Sequence, residues 1–452
     1  MLPKRHRLVL INPVNPKRRG FTANLTSRFP PLALGIIAAL TPDDWEIKLI
    51  DENFNPFFFE DADLVGITAY TASANRAYEI SAIYRQRSVP VVMGGMHATI
   101  CPEEALRYVD AVVIGEVESI WNKIIYDFKG GGVKGIYHGE LIDGRDIPHP
   151  RHDLFHKDYL FGSVQTSRGC PMDCDFCSVP AYYGKKYRRR PLDKVIDELI
   201  NIKKRFIFFI DDNIIGYGSD SRDEAIAIFK EMVNRKLNKW WICQASLNFA
   251  DDEEVLYWAS RSGCKMVIMG LEARETEALI EANKRLNLKR GIDFYKKAFD
   301  RIHRAGIAIV GSFIFGFDSD TEDIIYRRAR YLLESDIDVM QITYLTPLPG
   351  TRLFERLYKE GRLLYTDYPR DWDHFDVAEL TYKPRKISSK DLTSIMQDIH
   401  RQVYSWDEIL HKAIVTYLRT RDPIASSIAF YSNLNYAGAW AGRRTGKLLP
   451  IR

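Results

Sequence analysis

Three cysteines fall within eight residues, in Ser167-Arg-Gly-Cys170-Pro-Met-Asp-Cys174-Asp-Phe-Cys177. An odd, clustered set of thiols does not suit a disulfide framework; it suits a metal. The other three, Cys101, Cys243 and Cys264, are scattered. Three thiolates on one tight loop can hold three irons of a [4Fe–4S] cluster and leave the fourth iron open to a small molecule. Iron-bound thiols are deprotonated, and Gly169 and Pro171 help shape the loop. The alternative is a closed zinc site, whose fourth ligand would come from afar, from His156 or Cys243.

Such a loop acts only where a scaffold presents it. From about 162 onward, runs rich in Val, Ile and Phe alternate with segments of helical spacing. Strands are predicted over 163–166, 206–210, 241–246, 266–270, 308–315 and 339–344. Helices over 192–203, 223–235, 253–262, 290–305 and 321–335 fit between them. Six such repeats predict a partial (β/α)6 barrel, with function at the C-terminal ends of the strands. The cysteines follow the first strand at that end. Residues 1–135 alternate separately, with strands over 7–12, 46–50, 63–68, 90–94 and 111–115, which predicts a small doubly wound, Rossmann-like domain. Residues 136–161, rich in Gly, Pro and His, read as a linker with one possible strand near Ile136. The barrel spans 162–364. Residues 365–452 are aromatic-rich, show helical periodicity over 388–417 and close on a basic run; they predict a small, mainly helical C-terminal domain. The expected fold class is α/β throughout the first two domains.

The 452 residues exceed one ordinary core. Lys and Arg number 64 against 60 Asp and Glu, a net charge of +4, which leaves no footprint for nucleic acid. No apolar run reaches the roughly 18–20 residues of a membrane span. The longest, 307–317, contains Gly311 and Gly316 and reads as a buried strand. The N-terminus has no signal-peptide pattern, so a cytoplasmic location is expected.

The order Cys-x3-Cys-x-Phe-Cys after a first barrel strand resembles the signature of the radical S-adenosylmethionine (SAM) superfamily, with Phe176 as the aromatic residue before the last cysteine. Phe209-Ile-Asp-Asp-Asn213 stands where that family sets polar residues near the SAM amino group, which implies Asp211, Asp212 and Asn213. Ile268-Met-Gly-Leu-Glu272 is similar to the strand-four segment whose acid approaches the ribose, which implies Glu272. Gly311-Ser-Phe-Ile-Phe-Gly316 is similar to the fifth strand and implies Ser312. Leu345-Thr-Pro-Leu-Pro-Gly-Thr351 resembles the loop near the adenine and implies Pro347. Taken singly, Asp211 and Asp212 read as a helix N-cap and a solvated charge, Glu272 as a partner of Arg274 or Lys265, and Pro349-Gly350 as a turn. The resemblance implies a cluster on Cys170, Cys174 and Cys177, SAM as cofactor, an electron from a ferredoxin or flavodoxin, and a 5′-deoxyadenosyl radical that abstracts hydrogen from unactivated carbon.

The first domain's loops resemble the cobalamin-binding domain that precedes such barrels. They are Asp51-Glu-Asn53, Thr68-Ala-Tyr-Thr71-Ala-Ser73, Gly94-Gly-Met-His97-Ala-Thr99 and Gly115-Glu116. The resemblance implies cobalamin contacts from Asp51, Thr68, Ser73, Gly94, Gly95, His97, Gly115 and Glu116. The Asp-x-His-x-x-Gly motif of base-off, His-on domains is missing after strand one, where the chain reads Asn12-Pro-Val-Asn-Pro16, so no histidine is expected below the cobalt. His97 reads as a ligand-tail contact or as a satisfied structural histidine.

Together these features imply a cobalamin-dependent radical SAM enzyme, a C-methyltransferase that uses the 5′-deoxyadenosyl radical and methylcobalamin. Cyclisation, oxygenation or rearrangement on the same architecture is one alternative; a cobalamin or iron–sulfur carrier or sensor is another. The substrate class stays open, with lipid, tetrapyrrole, peptide and antibiotic precursor all compatible. Lys185-Lys-Tyr-Arg-Arg-Arg190 reads mostly as a solvated face, with one Arg near the SAM carboxylate or an acidic substrate. Trp372-Asp-His-Phe-Asp376 reads as a cap on the open barrel or as pocket lining.

Overall fold

The computed structural model describes residues 5–15 and 28–445, with side chains as far as residue 439. Pro16 and the basic run that closes the chain lie outside the described residues and side chains. Six strands form the first sheet: β1 (His6–Asn12), β2 (Trp45–Asp51), β3 (Leu64–Thr68), β4 (Val91–Gly94), β5 (Ala111–Ile114) and β6 (Gly135–His138). All pairs are parallel, in the order β2-β1-β3-β4-β5-β6. Helices cover both faces, which is why β1 reads as an unbroken apolar run. Val9 and Ile11 pack toward Ala77, Ile80 and Tyr84, while Leu8 and Leu10 pack toward Leu34, Ala38 and Trp121. The order reverses between β1 and β3, where an open α/β sheet leaves a crevice at its strand ends.

The possible strand near Ile136 belongs to this sheet. Gly135–His138 pairs with Ala111–Ile114, so the domain has six strands where five were expected, and it continues past residue 135. A four-residue strand behind a triple glycine carries too little periodicity to be assigned to the first sheet from the sequence.

The second sheet is singly wound. Its first strand is β7 (Gly162–Val164), followed by a small antiparallel hairpin of β8 (Ser167–Arg168) and β9 (Arg188–Arg189). Then come β10 (Phe206–Phe209), β11 (Trp240–Ala245), β12 (Cys264–Glu272), β13 (Ala308–Phe315) and β14 (Val339–Tyr344), in the parallel order β14-β13-β12-β11-β10-β7. Helices cover the outer face, among them Leu192–Asn201, Ser219–Asn234 and Glu253–Ser262.

Among the described residues the C-terminal region is mainly helical and has no separate core. Leu392, Met396, Ile399 and Val403 join the outer core of the barrel. Ala425 and Ala429, on the helix Pro423–Thr445, pack against Met266, Ala308, Val310 and Val339 near the N-terminal strand ends, opposite the cysteines. Trp372 and Phe375 belong instead to the core of the first domain. The Trp372–Asp376 stretch therefore docks on the first domain rather than capping the barrel.

Candidate functional site

The cysteine loop leaves β8 and returns through β9. Gly169 makes the exit possible: its φ is +90°, and a Cβ there would lie 2.2 Å from the Lys186 carbonyl oxygen. Beyond it the loop is clamped. The Arg352 guanidinium pairs with Asp173 at 2.9 Å and Asp175 at 2.7 Å. The Leu353 N–H donates to the Asp175 carbonyl, the Asp175 N–H to the Ala282 carbonyl, and Asn283 Nδ2 to the Asp173 carbonyl. All six cysteines are free, and Cys170, Cys174 and Cys177 are each half-buried. Burial pushes all three loop thiols up, Cys177 to about 12, and a bound cation would reverse that shift.

Three free thiols on one short clamped loop fit a cubane, whose irons occupy separate corners. Among the described residues no three His, Cys, Asp or Glu side chains close on a single ion. Neither zinc ligand proposed from afar reaches the loop. Cys243 is buried in the barrel core with Cys264, and the His156 ring stacks on Phe54 at 4.1 Å.

The strand ends around this loop divide into two kinds. Asp211 is spent on structure: it is fully buried and accepts from the Thr166 N–H, from Thr166 Oγ1 at 2.7 Å and from Ser167 Oγ. It fixes the approach to the hairpin. Its neighbour Asp212 is half-buried, and burial, then the Asp211 charge, push its carboxyl up to about 7. Asn213 is buried, and its Nδ2 donates to the Gly216 carbonyl. Glu272 sits at a register shift between β12 and β13 with φ +64°, a left-handed conformation rare outside glycine. Its partner is neither Arg274 nor Lys265 but Lys284, at 2.6 Å. Burial would lower the Lys284 ammonium; Glu272 and the Cys174 sulfur outweigh that, and the net shift is upward. Ser312 Oγ donates to Gln341 across neighbouring strands, and Pro347 is buried in its loop. The same loop meets the first domain, because a Cβ on Gly350 would lie 2.8 Å from Ile100.

On the first domain, Thr68, Gly94, Gly95 and Gly115 lie half-buried at the ends of β3, β4 and β5. Small residues at these strand ends fit the close approach of a large flat ligand such as a corrin. Gly115 has φ +78°, and a Cβ there would meet the Gly139 carbonyl oxygen at 2.5 Å. Four other predicted contacts are engaged within the protein. Asp51 accepts from Asn12 Nδ2, the Asn53 N–H and the Tyr159 hydroxyl. Ser73 Oγ donates to the Tyr70 carbonyl. The fully buried His97 has Nε2 3.0 Å from the Tyr78 hydroxyl and 3.1 Å from Glu104 Oε1, and Glu104 also accepts from Trp372 Nε1. His97 is thus the satisfied structural histidine. Glu116 is 2% exposed and accepts from both terminal nitrogens of Arg188, at 2.8 and 2.7 Å, and from the Ile142 N–H, with Arg168 at 3.3 Å. Glu118 takes the other end of Arg168 at 2.6 Å.

These ion pairs also correct the reading of the basic run. Arg188 and Arg190 are buried, and Arg190 pairs with the buried Glu198 at 2.7 Å; only Lys185 and Lys186 are exposed. Sequence reasoning missed Arg168, although it stands two residues before Cys170. It also missed Lys284, which no motif marks.

A model of the B12 binding domain matches residues 18–124, and a model of the Radical SAM superfamily matches residues 164–332. The chain is a radical SAM enzyme with a B12-binding domain. Its cofactors are a [4Fe–4S] cluster, SAM and cobalamin. This radical SAM enzyme is 29% identical over 404 residues to a bacteriochlorophyllide d C-12(1)-methyltransferase of Chlorobaculum tepidum, covering 84% of each chain. It is 28% identical over 435 residues to the bacteriochlorophyllide d C-8(2)-methyltransferase of the same organism, covering 89% of this chain and 91% of that one. In fold it is similar to the cobalamin-dependent SAM radical enzyme OxsB with aqua-cobalamin and SAM bound, with a TM-score of 0.69, 14% identity, and coverage of 98% and 79%.

A cavity of about 1380 Å³ is walled by Tyr344, by Arg370, Asp373, His374 and Glu379 of the stretch after the barrel, and by the helix Ser389–Val403. None of the predicted cofactor residues lines it.

Proposed function

We propose that the enzyme is a C-methyltransferase acting at an unactivated carbon of a lipophilic small molecule, with the tetrapyrroles as first substrate class. The observation that carries this is the pair of relatives named as methyltransferases of a bacteriochlorophyllide, each matched over more than four-fifths of this chain. When bound, the cluster would supply the electron that cleaves SAM, and the corrin would relay a methyl group.

The chain's own residues do the rest. Cys170, Cys174 and Cys177 would hold the cluster. Glu272, held in place by Lys284, offers a carboxylate at the end of β12 for hydroxyl groups of SAM. Asp212, kept partly neutral by its surroundings, offers a polar group beside the thiols. Thr68, Gly94, Gly95 and Gly115 would carry the corrin and its tail. The buried contacts from Glu116 and Glu118 to Arg168 and Arg188 hold the two domains together and keep water from the space between them. A low-potential ferredoxin or flavodoxin would deliver electrons.

The test is anaerobic reconstitution with iron, sulfide and hydroxocobalamin, followed by turnover of methyl-deuterated SAM with a tetrapyrrole of the bacteriochlorophyllide class and, separately, with a lipid. A deuterated methyl group in the product, with both 5′-deoxyadenosine and S-adenosylhomocysteine formed, is expected. A transformed substrate with 5′-deoxyadenosine and no S-adenosylhomocysteine would replace methylation with cyclisation, oxygenation or rearrangement.

A further inference from the structure

The stretch Trp372-Asp-His-Phe-Asp376 has two sides. Trp372 and Phe375 join the core of the first domain, and Asn75 Nδ2 donates to Asp373 at 2.8 Å and to the Arg370 carbonyl at 3.1 Å. Asn75 lies in the helix that follows the Thr68–Ser73 loop. His374, between those two aromatic residues, lines the cavity of about 1380 Å³. The nearby Val377 carbonyl accepts from the N–H of Tyr344, the last residue of β14, which runs directly into the 345–351 loop expected near the adenine. The cavity wall is thus tied on one side to the helix behind the proposed corrin loop, and on the other to the strand that feeds the proposed adenine loop.

His374 is fixed in that wall. Its ring stacks on Tyr365 at 3.8 Å, 3° from parallel. Its Nδ1 lies 3.0 Å from Glu379 Oε2, and the Tyr365 hydroxyl donates to Glu379 Oε1 at 2.7 Å. An ionised carboxylate only accepts, so Nδ1 carries the proton and the neutral ring keeps its lone pair on Nε2. Among the described residues Nε2 has no hydrogen-bond partner. A histidine that gives one N–H to a carboxylate and keeps the other nitrogen bare is arranged as metal-ligating histidines are. No three His, Cys, Asp or Glu side chains among the described residues close on a single ion, so the cavity has no protein donor set for a bare metal. A metal that arrives with four nitrogens of its own needs only one axial donor.

Size agrees with that. The cavity, at about 1380 Å³, exceeds the roughly 300–1,000 Å³ of ordinary small-ligand pockets, and Leu364, Leu380 and Tyr404 give it apolar wall. Its charged side chains are of both signs, so net charge selects no ligand; the oriented nitrogen does. We propose that His374 Nε2 is the axial ligand to the central metal of a metallated tetrapyrrole bound in this cavity. This rests on the tetrapyrrole reading above and adds to it a binding site and a metallated substrate.

The test is anaerobic titration of the full-length, cofactor-loaded enzyme with zinc pheophorbide a and with metal-free pheophorbide a, followed at their long-wavelength absorption band. Zinc pheophorbide should bind more tightly than the metal-free form by about tenfold or more, with a band shift as zinc gains a fifth ligand. His374→Ala should remove both the preference and the shift, and added imidazole should restore the shift, which a merely structural role would not allow. His374→Gln, which fills the same space, takes its place if the alanine variant loses the wild-type unfolding midpoint. Equal affinity for the two pheophorbides, or a shift that survives His374→Ala, overturns the proposal and leaves methyl transfer to a tetrapyrrole standing. Binding of neither pheophorbide overturns it together with the tetrapyrrole reading. Zinc retained from zinc chloride in equilibrium dialysis, and lost in His374→Ala, would make this a simple ion site and also overturns the proposal.

Discussion

Glu116, at the end of a strand in the B12-binding domain, forms two parallel hydrogen bonds with Arg188, on the hairpin that carries the cysteine loop. Both side chains are buried, and Arg168, two residues before Cys170, completes the cluster. The B12-binding domain and the loop proposed to hold the cluster are therefore joined by buried charge, where geometry matters most and water screens least.

Removing one partner of such a cluster leaves the others uncompensated. Glu116→Gln should cost on the order of 3 kcal/mol of unfolding free energy in urea titrations. It should also lower iron retained after anaerobic reconstitution. Arg145→Ala, at the exposed pair with Asp143, should leave the urea midpoint unchanged within error.

The same carboxylate predicts a pH dependence. Burial alone would raise Glu116, but Arg188, Arg168 and the Ile142 N–H outweigh it and hold it below its ordinary value of 4.5. The folded value lies below the unfolded one, so this stabilisation is complete above the ordinary value and lost as pH falls through the depressed one. Urea midpoints followed from about pH 5 to about pH 3 should show an acid-induced loss that is smaller in Glu116→Gln.

Replacing Cys170, Cys174 or Cys177 singly with Ala should reduce bound iron and abolish 5′-deoxyadenosine formation, because two thiolates do not hold a cubane with one open corner. The retained B12-binding domain should still take up hydroxocobalamin, measured by its visible absorbance. Cys243→Ala, in the barrel core, should leave iron content unchanged and cost stability alone.

Lys284→Met should leave Glu272 buried and unpaired at a backbone position that already tolerates a left-handed φ. The expected result is a loss of about 3 kcal/mol of stability, with a weaker SAM affinity in equilibrium dialysis. Glu272→Gln keeps the shape and should weaken SAM binding with a smaller effect on stability.

Much of this molecule is readable locally, and the exceptions share a cause. The strands and the cysteine loop are legible because periodicity and motif spacing lie within a few residues of each other. Asp211, His97 and Glu116 sit at strand ends where a ligand contact is the natural expectation. What decides their roles are partners outside their own loops: Thr166 is 45 residues from Asp211, and Arg188 is 72 from Glu116. Lys284 escaped notice because it enters the site only through the fold of the segment after β12. The C-terminal helices carry amphipathic patterns whether they pack on each other or on the barrel, so their lack of a separate core is a tertiary fact.

His97 offers the sharpest check on how the first domain uses its histidine. Its Nε2 lies within hydrogen-bond distance of Tyr78 and Glu104, Trp372 ties Glu104 from the far end of the chain, and the ring is fully buried. Moving it to cobalt would break its hydrogen bonds with Tyr78 and Glu104. The cob(II)alamin form of the loaded enzyme should therefore give an electron paramagnetic resonance spectrum without nitrogen splitting from an axial protein ligand. His97→Ala should leave that spectrum unchanged while lowering the unfolding midpoint, because the variant breaks the contact between the B12-binding domain and the Trp372 segment. A nitrogen splitting that disappears in His97→Ala would instead make this residue a cobalt ligand and require the β4 loop to rearrange on binding.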